Sequence, residues 1–436
     1  MEEKKVITRF APSPTGNLHC GAYRTAIFAY LYARKNNGTF VLRIEDTDKE
    51  RSKKEYEENI LESLKWLGLD YDKFYRQSEN VKRHKEILEK MIKDGHAYIS
   101  KEEAKDGSGV VKEIVRFKNP NIEVSFKDKV KGLIRMNTED LGDFVIAKNI
   151  NEPLFHLAVV VDDFDEGITH VIRGEDHVSN TPRQILIQRA IGAPTPIYAH
   201  LPLVFGLDKQ KLSKRKGALA VTEYRDLGYL PEALLNMVSM IGWNPGTEQE
   251  LFTKKELIEQ FDFNKIQKSP AIFNPEKLDW INKEYIKKLS AEDLKNKIFE
   301  YLPKELQIEK LIPIISERIS KFLDVKNMVE AGELDFFFKQ PEYKKEKLIY
   351  KNISAEKISE NLKQAVEELK KLDEKDFTKE NVKEVLMKIA DSLENRGELL
   401  HPMRFALSGL DKSPDPFIIA EILGKNETIS RLQKTI

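Results

Sequence analysis

Residues 6–48 combine two short apolar runs with one helical segment, and this order restricts the fold more than any other feature of the chain. Residues 6–11, VITRFA, are typical of a short buried strand, and a loop with two prolines and a glycine follows them. The next stretch, up to Asn37 and Gly38, has apolar residues at helical spacing. Residues 39–48, TFVLRIEDTD, indicate a second strand that ends in acidic residues. The pattern predicts a βαβ unit within a parallel sheet, whose ligands bind at the carboxyl ends of the strands.

The remaining sequence adds regions of different character. From about 80 to 155, charged helical stretches and short alternating runs such as VRFKN and LIRMN predict an α+β insertion. The α/β pattern resumes with LFHLAVVVDD, THVIRGEDH and IYAHLPLVF. After about residue 306 helical periodicity dominates, so the last third is predicted to be helical.

Composition excludes several classes of protein. The chain has 436 residues, and Lys+Arg and Asp+Glu both number 72, so a nucleic-acid partner must be held by local basic patches. The single cysteine, Cys20, excludes an internal disulfide and a zinc site built from several thiolates. The first residues lack the apolar segment of a secretory signal, and no apolar run approaches the ~20 residues of a membrane helix. We therefore expect a cytoplasmic protein without a membrane partner.

The loop PSPTGNLHCG, residues 12–21, lies between the first predicted strand and the first predicted helix. A glycine-containing turn at a helix N-terminus presents backbone N–H groups to an anion, and the helix dipole adds to the attraction. His19 lies at the helix start, where it could donate a hydrogen bond to a phosphate oxygen. The alternative interpretation is that His19 caps the helix and that the prolines and glycines only shape the turn.

A second anion-binding candidate is the pentapeptide KLSKR, residues 211–215. Lysine is a flexible point charge that suits a triphosphate, and Ser213 adds a hydroxyl donor between Lys211 and Lys214. A loop of this composition can close over phosphates and stabilise a charged transition state. Taken by itself, such a charge cluster is more often a solvated surface loop.

Both loops occur together with two further motifs. The four segments, in chain order, are RFAPSPTGNLHCGAYRTA, RIEDTD, VIRGEDHVSNTPRQ and KLSKRKG. In this combination the chain resembles the class I aminoacyl-tRNA synthetases and, among them, is similar to the bacterial-type glutamyl-tRNA synthetases. The likeness covers about residues 6–285 with closely matching motifs and continues more weakly into the helical last third.

The resemblance implies a division of the chain into regions. It predicts a Rossmann-type parallel-sheet catalytic domain split over residues 1–80 and 156–230, with an α+β insertion over 81–155 that contacts the tRNA acceptor end. A helical stem-contact domain is expected over 231–305 and a helical anticodon-binding region over 306–436.

The resemblance also implies a site for ATP between the His19 loop and the KLSKR loop. ATP contacts are expected from Ser13, Gly21, Asp176, Val204, Lys211, Ser213, Lys214 and Arg215. The expected catalytic residues are His19, Lys211 and Lys214, which would contact the phosphates or stabilise the triphosphate during adenylate formation. ATP is expected as its Mg²⁺ complex, and no zinc or other protein-bound metal is expected.

Glutamate needs partners for one amino group and two carboxylates. Arginine binds a carboxylate through two parallel hydrogen bonds, and the resemblance assigns Arg9 to the γ-carboxylate and Arg173 to a further substrate contact. Glu45 matches the acidic residue that meets the α-amino group. The remaining expected glutamate contacts are Ala11, Ser13, Phe155 and Val159.

The implied activity is ATP-dependent ligation of L-glutamate to the 3′ end of tRNA(Glu) through a glutamyl-adenylate, with release of AMP and pyrophosphate. Neither step needs a protein nucleophile, so catalysis would come from positioning and charge stabilisation. A monomer is expected. The alternatives are an enzyme that also charges tRNA(Gln), or a tRNA-modifying or inactive paralogue. The helical last third disfavours the tRNA-modifying type, which lacks an anticodon-binding region.

Four positions depart from the family pattern, and one of them is Cys20, which replaces the usual isoleucine and changes the packing modestly. Ala22 is the fourth residue of the HIGH-type motif, where relatives of this type often carry a small residue. Phe155 and Val159 stand where relatives often have tyrosine and asparagine, so the glutamate pocket is expected to lack two polar groups. The insertion is also shorter than in many relatives, which reduces the surface expected to meet the tRNA acceptor end.

Overall fold

The chain divides into two units, Met1–Tyr285 and Ile286–Ile436, in the computed structural model. The structure describes residues 5–103, 111–210, 212 and 219–436. All strands of these described ranges lie in the first unit, which also contains helices, whereas the second unit is helical. No helix in the same ranges is long and apolar enough to cross a membrane.

Strands and helices are numbered in chain order. The strands are β1 (Ile7–Phe10), β2 (Thr39–Ile44), β3 (Lys73–Arg76), β4 (Ala97–Glu103), β5 (Val111–Phe117), β6 (Glu123–Asp128), β7 (Gly132–Asn137), β8 (Phe144–Asn149), β9 (Glu152–Pro153), β10 (His170–Gly174), β11 (Ile197–Leu201), β12 (Val204–Phe205) and β13 (Ala271–Ile272). The helices up to the end of the first unit are α1 (Cys20–Lys35), α2 (Lys54–Trp66), α3 (Val81–Lys93), α4 (Phe155–Asp165), α5 (Thr181–Ile191), α6 (Val221–Asp226), α7 (Pro231–Ser239), α8 (Lys254–Gln260) and α9 (Pro275–Ile286). Those of the second unit are α10 (Ala291–Tyr301), α11 (Ile312–Arg318), α12 (Leu323–Glu330), α13 (Ala355–Lys370), α14 (Lys379–Ala390), α15 (Gly397–Ser408) and α16 (Pro416–Gln433).

A seven-stranded sheet forms the centre of the first unit, in the order β3-β2-β1-β10-β11-β6-β7. Neighbouring strands are parallel except β6 and β7, which form an antiparallel hairpin. β2 is buried along its whole length, as its sequence TFVLRI predicts for a parallel strand covered on both faces. The βαβ unit predicted for β1, α1 and β2 is confirmed, and so is the parallel α/β class of the sheet domain.

The segment between β3 and β10 contains the predicted α+β insertion. Its strands β4, β5, β8 and β9 form a separate antiparallel sheet. The hairpin β6–β7 instead joins the main sheet, with Asp128 opposite Tyr198 of β11. Alternate residues of β6 are buried, as expected of a strand with one face on a core. This extension of the main sheet was not predicted, because β6 and β11 are distant in the sequence and the sequence of neither strand indicates which strand it pairs with.

The second unit is the helical region predicted for the last third. In α13 the buried residues Ile358, Leu362, Val366 and Leu369 recur every three or four positions, so one face of the helix packs into the core of this unit. The hydroxyl of Ser354 caps the start of this helix by accepting a backbone N–H. The helical class predicted for this region is therefore confirmed.

Candidate active site

A cavity of about 360 Å³ opens at the carboxyl ends of β1, β10 and β11, beside the start of α1. Its walls include residues 11 and 12 after β1, Glu45 after β2, Arg173 near the end of β10 and residues 202–204 after β11. Pockets for small molecules commonly measure roughly 300–1,000 Å³. Both the size and the position are those expected of a ligand site in a parallel α/β sheet.

The site residues predicted from the sequence converge on this cavity. Those that the structure describes all line it: Arg9, Ala11, Ser13, His19, Gly21, Glu45, Phe155, Val159, Arg173, Asp176 and Val204. Lys211, Ser213, Lys214 and Arg215 lie outside the described residues. Leu212, from the same KLSKR segment, lines the cavity, and its backbone N–H donates to the carbonyl of Val204 at 2.8 Å. Residues from four separate motifs therefore share one cavity.

The first turn of α1 forms one wall of the cavity. This turn contains no acidic side chain, so the partial positive charge at the start of a 16-residue helix can act on an anion. His19 is the N-cap residue, but its side chain makes no capping hydrogen bond, which is the contact that the capping interpretation requires. A Cβ atom at position 21 would lie 3.0 Å from His19 Nδ1, which is tighter than an ordinary van der Waals contact, so the imidazole would have to shift by a few tenths of an ångström.

Arg9 and Glu45 belong to a buried charge cluster centred on Arg43, whose side chain is fully buried. The Arg43 guanidinium lies 3.3 Å from Glu45 and 2.9 Å from Asp163. It lies 2.7 Å from Glu166 on its other side. Asp163 Oδ1 also accepts from Arg9 Nε at 3.1 Å. The cluster thus holds Arg9 of β1 beside Glu45, the residue after β2, and its hydrogen bond to Arg9 uses the Nε–H group.

Burial changes the ionisation of the two glutamates in this cluster. It raises the pKa of Glu45, although the positive charges of Arg43 and Arg9 oppose the change. It also raises the pKa of Glu166 to about 7, again against the attraction of Arg43. Glu45 faces the cavity, so an ammonium group bound there would stabilise its charged form.

Arg173 reaches the cavity from β10, and residues outside the cavity lining bind its guanidinium group. Its Nε donates to His200 Nε2 at 3.1 Å, and its Nη2 donates to Thr181 Oγ1 at 2.8 Å. The ring centre of Tyr198 lies 5.5 Å from its guanidinium carbon. Burial lowers the pKa of Arg173 to about 10, so the side chain remains a cation at neutral pH. Burial also lowers the pKa of His200, so the partners that hold Arg173 are neutral.

Phe155 and Val159 form an apolar wall, one turn apart on α4. The Phe155 ring lies 5.7 Å from the ring of His177, which also lines the cavity. Burial, with the positive charge of Arg173, lowers the pKa of His177 to about 4, so the His177 side chain is uncharged at neutral pH. The two departures from the family pattern therefore present hydrocarbon to the cavity.

Two arginines that bear on the site were missed in the sequence. Arg24 lines the cavity and donates to the carbonyls of Pro202 and Ile241, which joins α1 to the segment after β11. The sequence offered little indication that Arg24 would line the cavity, since an arginine within a helix is usually solvated. Arg43 forms an ion pair with Glu45. The sequence did indicate a special role for Arg43, because it is a charged residue within the mainly apolar strand sequence TFVLRI.

Several side chains of the cavity offer contacts for an anion. Arg9, Arg24 and Arg173 line it beside the helix start, and Glu45 lies on the same wall as Arg9. Within the described ranges, no group of three or more His, Cys, Asp and Glu side chains could hold a metal ion. A ligand with several negative charges and one amino group fits this distribution of charge.

Comparisons with known proteins agree with the resemblance in the motifs. The family "tRNA synthetases class I (E and Q), catalytic domain" matches residues 5–106 and 99–280, and "Anticodon binding domain" matches residues 273–436. The chain is 41% identical to a glutamate–tRNA ligase of Aquifex aeolicus in an alignment 484 residues long, which covers 99% of each chain. It is 36% identical to glutamate–tRNA ligase 2 of Thermoanaerobacter pseudethanolicus in an alignment 477 residues long, which covers 99% of this chain and 98% of that one.

Solved structures are similar over the same length. A crystal structure of a glutamate tRNA ligase from Elizabethkingia meningosepticum, in complex with its amino acid, has a TM-score of 0.86 and 32% identity and covers 99% of both chains. The glutamate-tRNA synthetase from Elizabethkingia anophelis has a TM-score of 0.85 at 32% identity. The chain therefore belongs to the glutamate–tRNA ligases, a family of class I aminoacyl-tRNA synthetases.

Proposed function

We propose that the cavity binds ATP and L-glutamate side by side and that the chain transfers the glutamate to the 3′ end of tRNA(Glu). As a member of its family, the chain is an aminoacyl-tRNA synthetase. The observation that carries the proposal is that Arg9, Arg173 and Glu45 line the same cavity as the start of α1. Groups suited to carboxylates and to an ammonium ion thus lie beside an element suited to phosphate.

ATP would lie against the start of α1 and the segment after β11. The backbone N–H groups of the first turn and the imidazole of His19 suit its phosphates. The backbone of Val204 would hold the adenine, and Asp176 would contact the ribose. The lysines of KLSKR would stabilise the triphosphate, and Leu212, the residue of this motif that the structure describes, lines the cavity and donates its backbone N–H to the carbonyl of Val204. ATP would enter as its Mg²⁺ complex, in which the ion neutralises phosphate charge as part of the substrate.

Glutamate would occupy the part of the cavity between the two arginines and Glu45. Arg9 and Arg173 line the same cavity, and burial, with a smaller effect from the positive charge of Arg9, lowers the pKa of Arg173. We assign both to the γ-carboxylate, which Arg9 can meet with its terminal nitrogens. The α-ammonium group would pair with Glu45 and would bring its raised pKa back towards the ordinary value. The side chains of Phe155 and Val159 would pack against the methylene groups.

The reaction would proceed in two displacements. The α-carboxylate of glutamate attacks the α-phosphorus of ATP, and pyrophosphate leaves. The terminal ribose hydroxyl of tRNA then attacks the carbonyl of the glutamyl-adenylate, and AMP leaves. No protein nucleophile is needed, so the residues of the cavity act by holding the reacting groups in line and by stabilising the charge on the phosphates.

The rest of the chain would bind tRNA. The match of the anticodon-binding family over residues 273–436 supports recognition of the anticodon by the helical second unit. The insertion, residues 81–155, would contact the acceptor end, and residues 231–305 would contact the stem. We propose that the enzyme acts as a monomer in the cytoplasm and that tRNA(Glu) is its main substrate.

Aminoacylation of purified transcripts tests the proposal. Labelled glutamate is combined with tRNA(Glu) or tRNA(Gln), and ATP is omitted in one arm. We expect ATP-dependent charging of tRNA(Glu), while the tRNA(Gln) arm separates a discriminating enzyme from a non-discriminating one. Intact binding of tRNA(Glu) without charging would contradict the proposal and would indicate an inactive or tRNA-modifying paralogue.

The variant Arg9→Lys tests the glutamate contact in the same assay. Lysine keeps a positive charge near Asp163 but loses the planar fork of arginine. Losing a hydrogen bond to a charged group costs about 1.5–3 kcal/mol, so the KM for glutamate should rise by about tenfold to a hundredfold, with little change in the KM for ATP. Arg51→Lys is the matched control, since Arg51 is 74% exposed and pairs with Asp48. An unchanged KM for glutamate would remove Arg9 from the pocket.

A further inference from the structure

Asp128 and His200 form a buried chain of contacts behind Arg173. His200 Nε2 lies 3.1 Å from Arg173 Nε, and His200 Nδ1 lies 2.7 Å from Asp128 Oδ2. The exposed fraction is 0% for His200 and 2% for Asp128, so water does not screen these contacts. Arg173 lines the cavity, whereas these two residues lie behind its wall. The side-chain contact that joins them to the cavity wall is that of His200 with Arg173.

Asp128 is the last residue of β6, in the hairpin that joins the main sheet beside β11. Its Oδ1 accepts from the backbone N–H groups of Val130 and Lys131 in the hairpin turn, at 2.8 Å each. Its Oδ2 accepts from the backbone N–H of His200 at 3.1 Å and faces the imidazole. The two oxygens of one carboxylate thus join the hairpin turn to the strand that carries His200.

These contacts determine which ring nitrogen of His200 carries the proton. Burial alone would raise the pKa of Asp128, but the hydrogen bonds from His200 and from the hairpin backbone lower it, so the side chain is an ionised carboxylate that can only accept. Burial lowers the pKa of His200, so its ring is neutral and carries a single proton. That proton is on Nδ1, and Nε2 is consequently the acceptor that the Nε–H group of Arg173 needs.

We propose that Asp128 is a positioning residue for the glutamate pocket: it holds His200 in the Nδ1–H tautomer, and His200 in turn orients the guanidinium of Arg173 towards the cavity. Thr181 completes the arrangement by accepting from Nη2 of Arg173. The inference rests on the proposed function in one respect, namely that Arg173 contacts glutamate. The hairpin β6–β7 thereby takes part in substrate recognition from behind the cavity wall.

The variant Asp128→Asn isolates this effect. Three backbone N–H groups meet Oδ1, those of Val130 and Lys131 at 2.8 Å and that of His200 at 3.3 Å, so we expect the amide oxygen to stay on this side and the amide nitrogen to face His200 Nδ1. An amide nitrogen donates, which moves the ring proton to Nε2. That N–H can turn to Thr181 Oγ1, 3.0 Å away, but the buried Nε of Arg173 then loses its acceptor. We expect the KM for glutamate to rise about tenfold or more, with the KM for ATP unchanged.

Two companion variants sharpen the charging assay. Glu123→Gln makes the same acid-to-amide change at an exposed position of β6 and should leave both KM values unchanged. His200→Gln removes the imidazole but can offer an amide oxygen to Arg173. Adding Asp128→Asn to His200→Gln should change the KM for glutamate by less than about twofold, because Asp128 acts through the imidazole. A full additional rise in the double variant, or an unchanged KM in Asp128→Asn alone, would overturn the inference.

Nitrogen NMR of protein with ¹⁵N-labelled histidine gives a readout that does not depend on activity. The His200 signals are identified by their loss in His200→Gln. We expect an Nδ1–H ring in the unsubstituted protein and an Nε2–H ring in Asp128→Asn, whereas an Nε2–H ring in the unsubstituted protein would overturn the inference. If the unsubstituted protein charges no tRNA, the proposed function fails, and the tautomer still decides whether Asp128 controls His200.

Discussion

Replacing Arg43 with methionine tests the charge cluster beneath the cavity. Methionine keeps a long flexible side chain but removes the positive charge. Four carboxylates surround the guanidinium within ion-pair distance: Glu45 at 3.3 Å, Asp162 at 3.9 Å, Asp163 at 2.9 Å and Glu166 at 2.7 Å. In Arg43→Met these buried carboxyl groups would face one another without this cation, so we expect a large loss of stability.

The burial of the cluster sets the magnitude of this loss. Removing one partner of a buried ion pair costs about 3–5 kcal/mol, because the other partner stays desolvated and uncompensated. The side chain of Arg43 is 0% exposed and that of Glu166 is 7% exposed, so this range applies. An exposed pair contributes only about 0–1 kcal/mol. Arg51→Met, at a 74% exposed side chain that pairs with Asp48, is therefore the matched control.

The loss of stability should depend on pH in a defined direction. Burial already raises the pKa of Glu45, and raises that of Glu166 to about 7, and removing Arg43 raises both further. A carboxyl group whose folded-state pKa exceeds its unfolded value stabilises the fold fully below the unfolded pKa. That contribution is lost as the pH rises through the folded pKa. The destabilisation in Arg43→Met should therefore be larger at about pH 8 than at about pH 5.

Tryptophan fluorescence during urea unfolding reports on the unit that contains Arg43. The three tryptophans of the chain, Trp66, Trp243 and Trp280, all lie in Met1–Tyr285. Linear extrapolation at each pH gives the free energy of unfolding of this unit in each variant. A loss in Arg43→Met of less than about 1 kcal/mol, as for an exposed pair, would refute the view that Arg43 compensates the buried carboxylates. A loss that does not vary with pH would refute it equally.

Two further predictions concern the cavity itself. The KM for glutamate should rise as the pH falls through the raised pKa of Glu45, because the α-ammonium group needs the ionised carboxylate. Glu45→Gln should raise this KM and flatten its pH profile, and a profile that stays the same would exclude the contact. Gly21→Ala should raise the KM for ATP while leaving that for glutamate unchanged, because the new Cβ atom, 3.0 Å from His19 Nδ1, displaces the imidazole. An unchanged KM for ATP would argue against a phosphate contact through His19.

Much of the sheet domain could be predicted because its signals are local. The strands β1 and β2 and the helix α1 each show their own apolar spacing, and turn residues separate them. Arg9, Glu45 and Arg173 lie in motifs at the carboxyl ends of strands. Since parallel strands bring these ends to one edge of the sheet, the meeting of the motifs in one cavity follows from the topology.

Contacts between distant segments could not be predicted in the same way. Asp163 binds Arg9, which is 154 positions away in the sequence, and Asp128 binds His200, which is 72 positions away. Neither carboxylate lies in a motif whose spacing points to its partner, and each would be read alone as a solvated acid at the end of a helix or strand. Only the pairing of strands and the packing of α4 bring them under the cavity, and these depend on the folded chain as a whole.

Arg9 and Arg173, which we assign to the γ-carboxylate of glutamate, are held by different kinds of partner, and the difference bears on substrate choice. Arg9 already shares the charge of Asp163 at 3.1 Å, whereas His200 and Thr181, which hold Arg173, are neutral. Burial lowers the pKa of Arg173 to about 10, which means that the cation has lost water without full compensation. If Arg173 binds glutamate as proposed, the γ-carboxylate would supply the missing negative charge, which the neutral amide of glutamine would not. In the proposed complex Arg173 therefore favours glutamate over glutamine, even though the wall formed by α4 contributes only hydrocarbon.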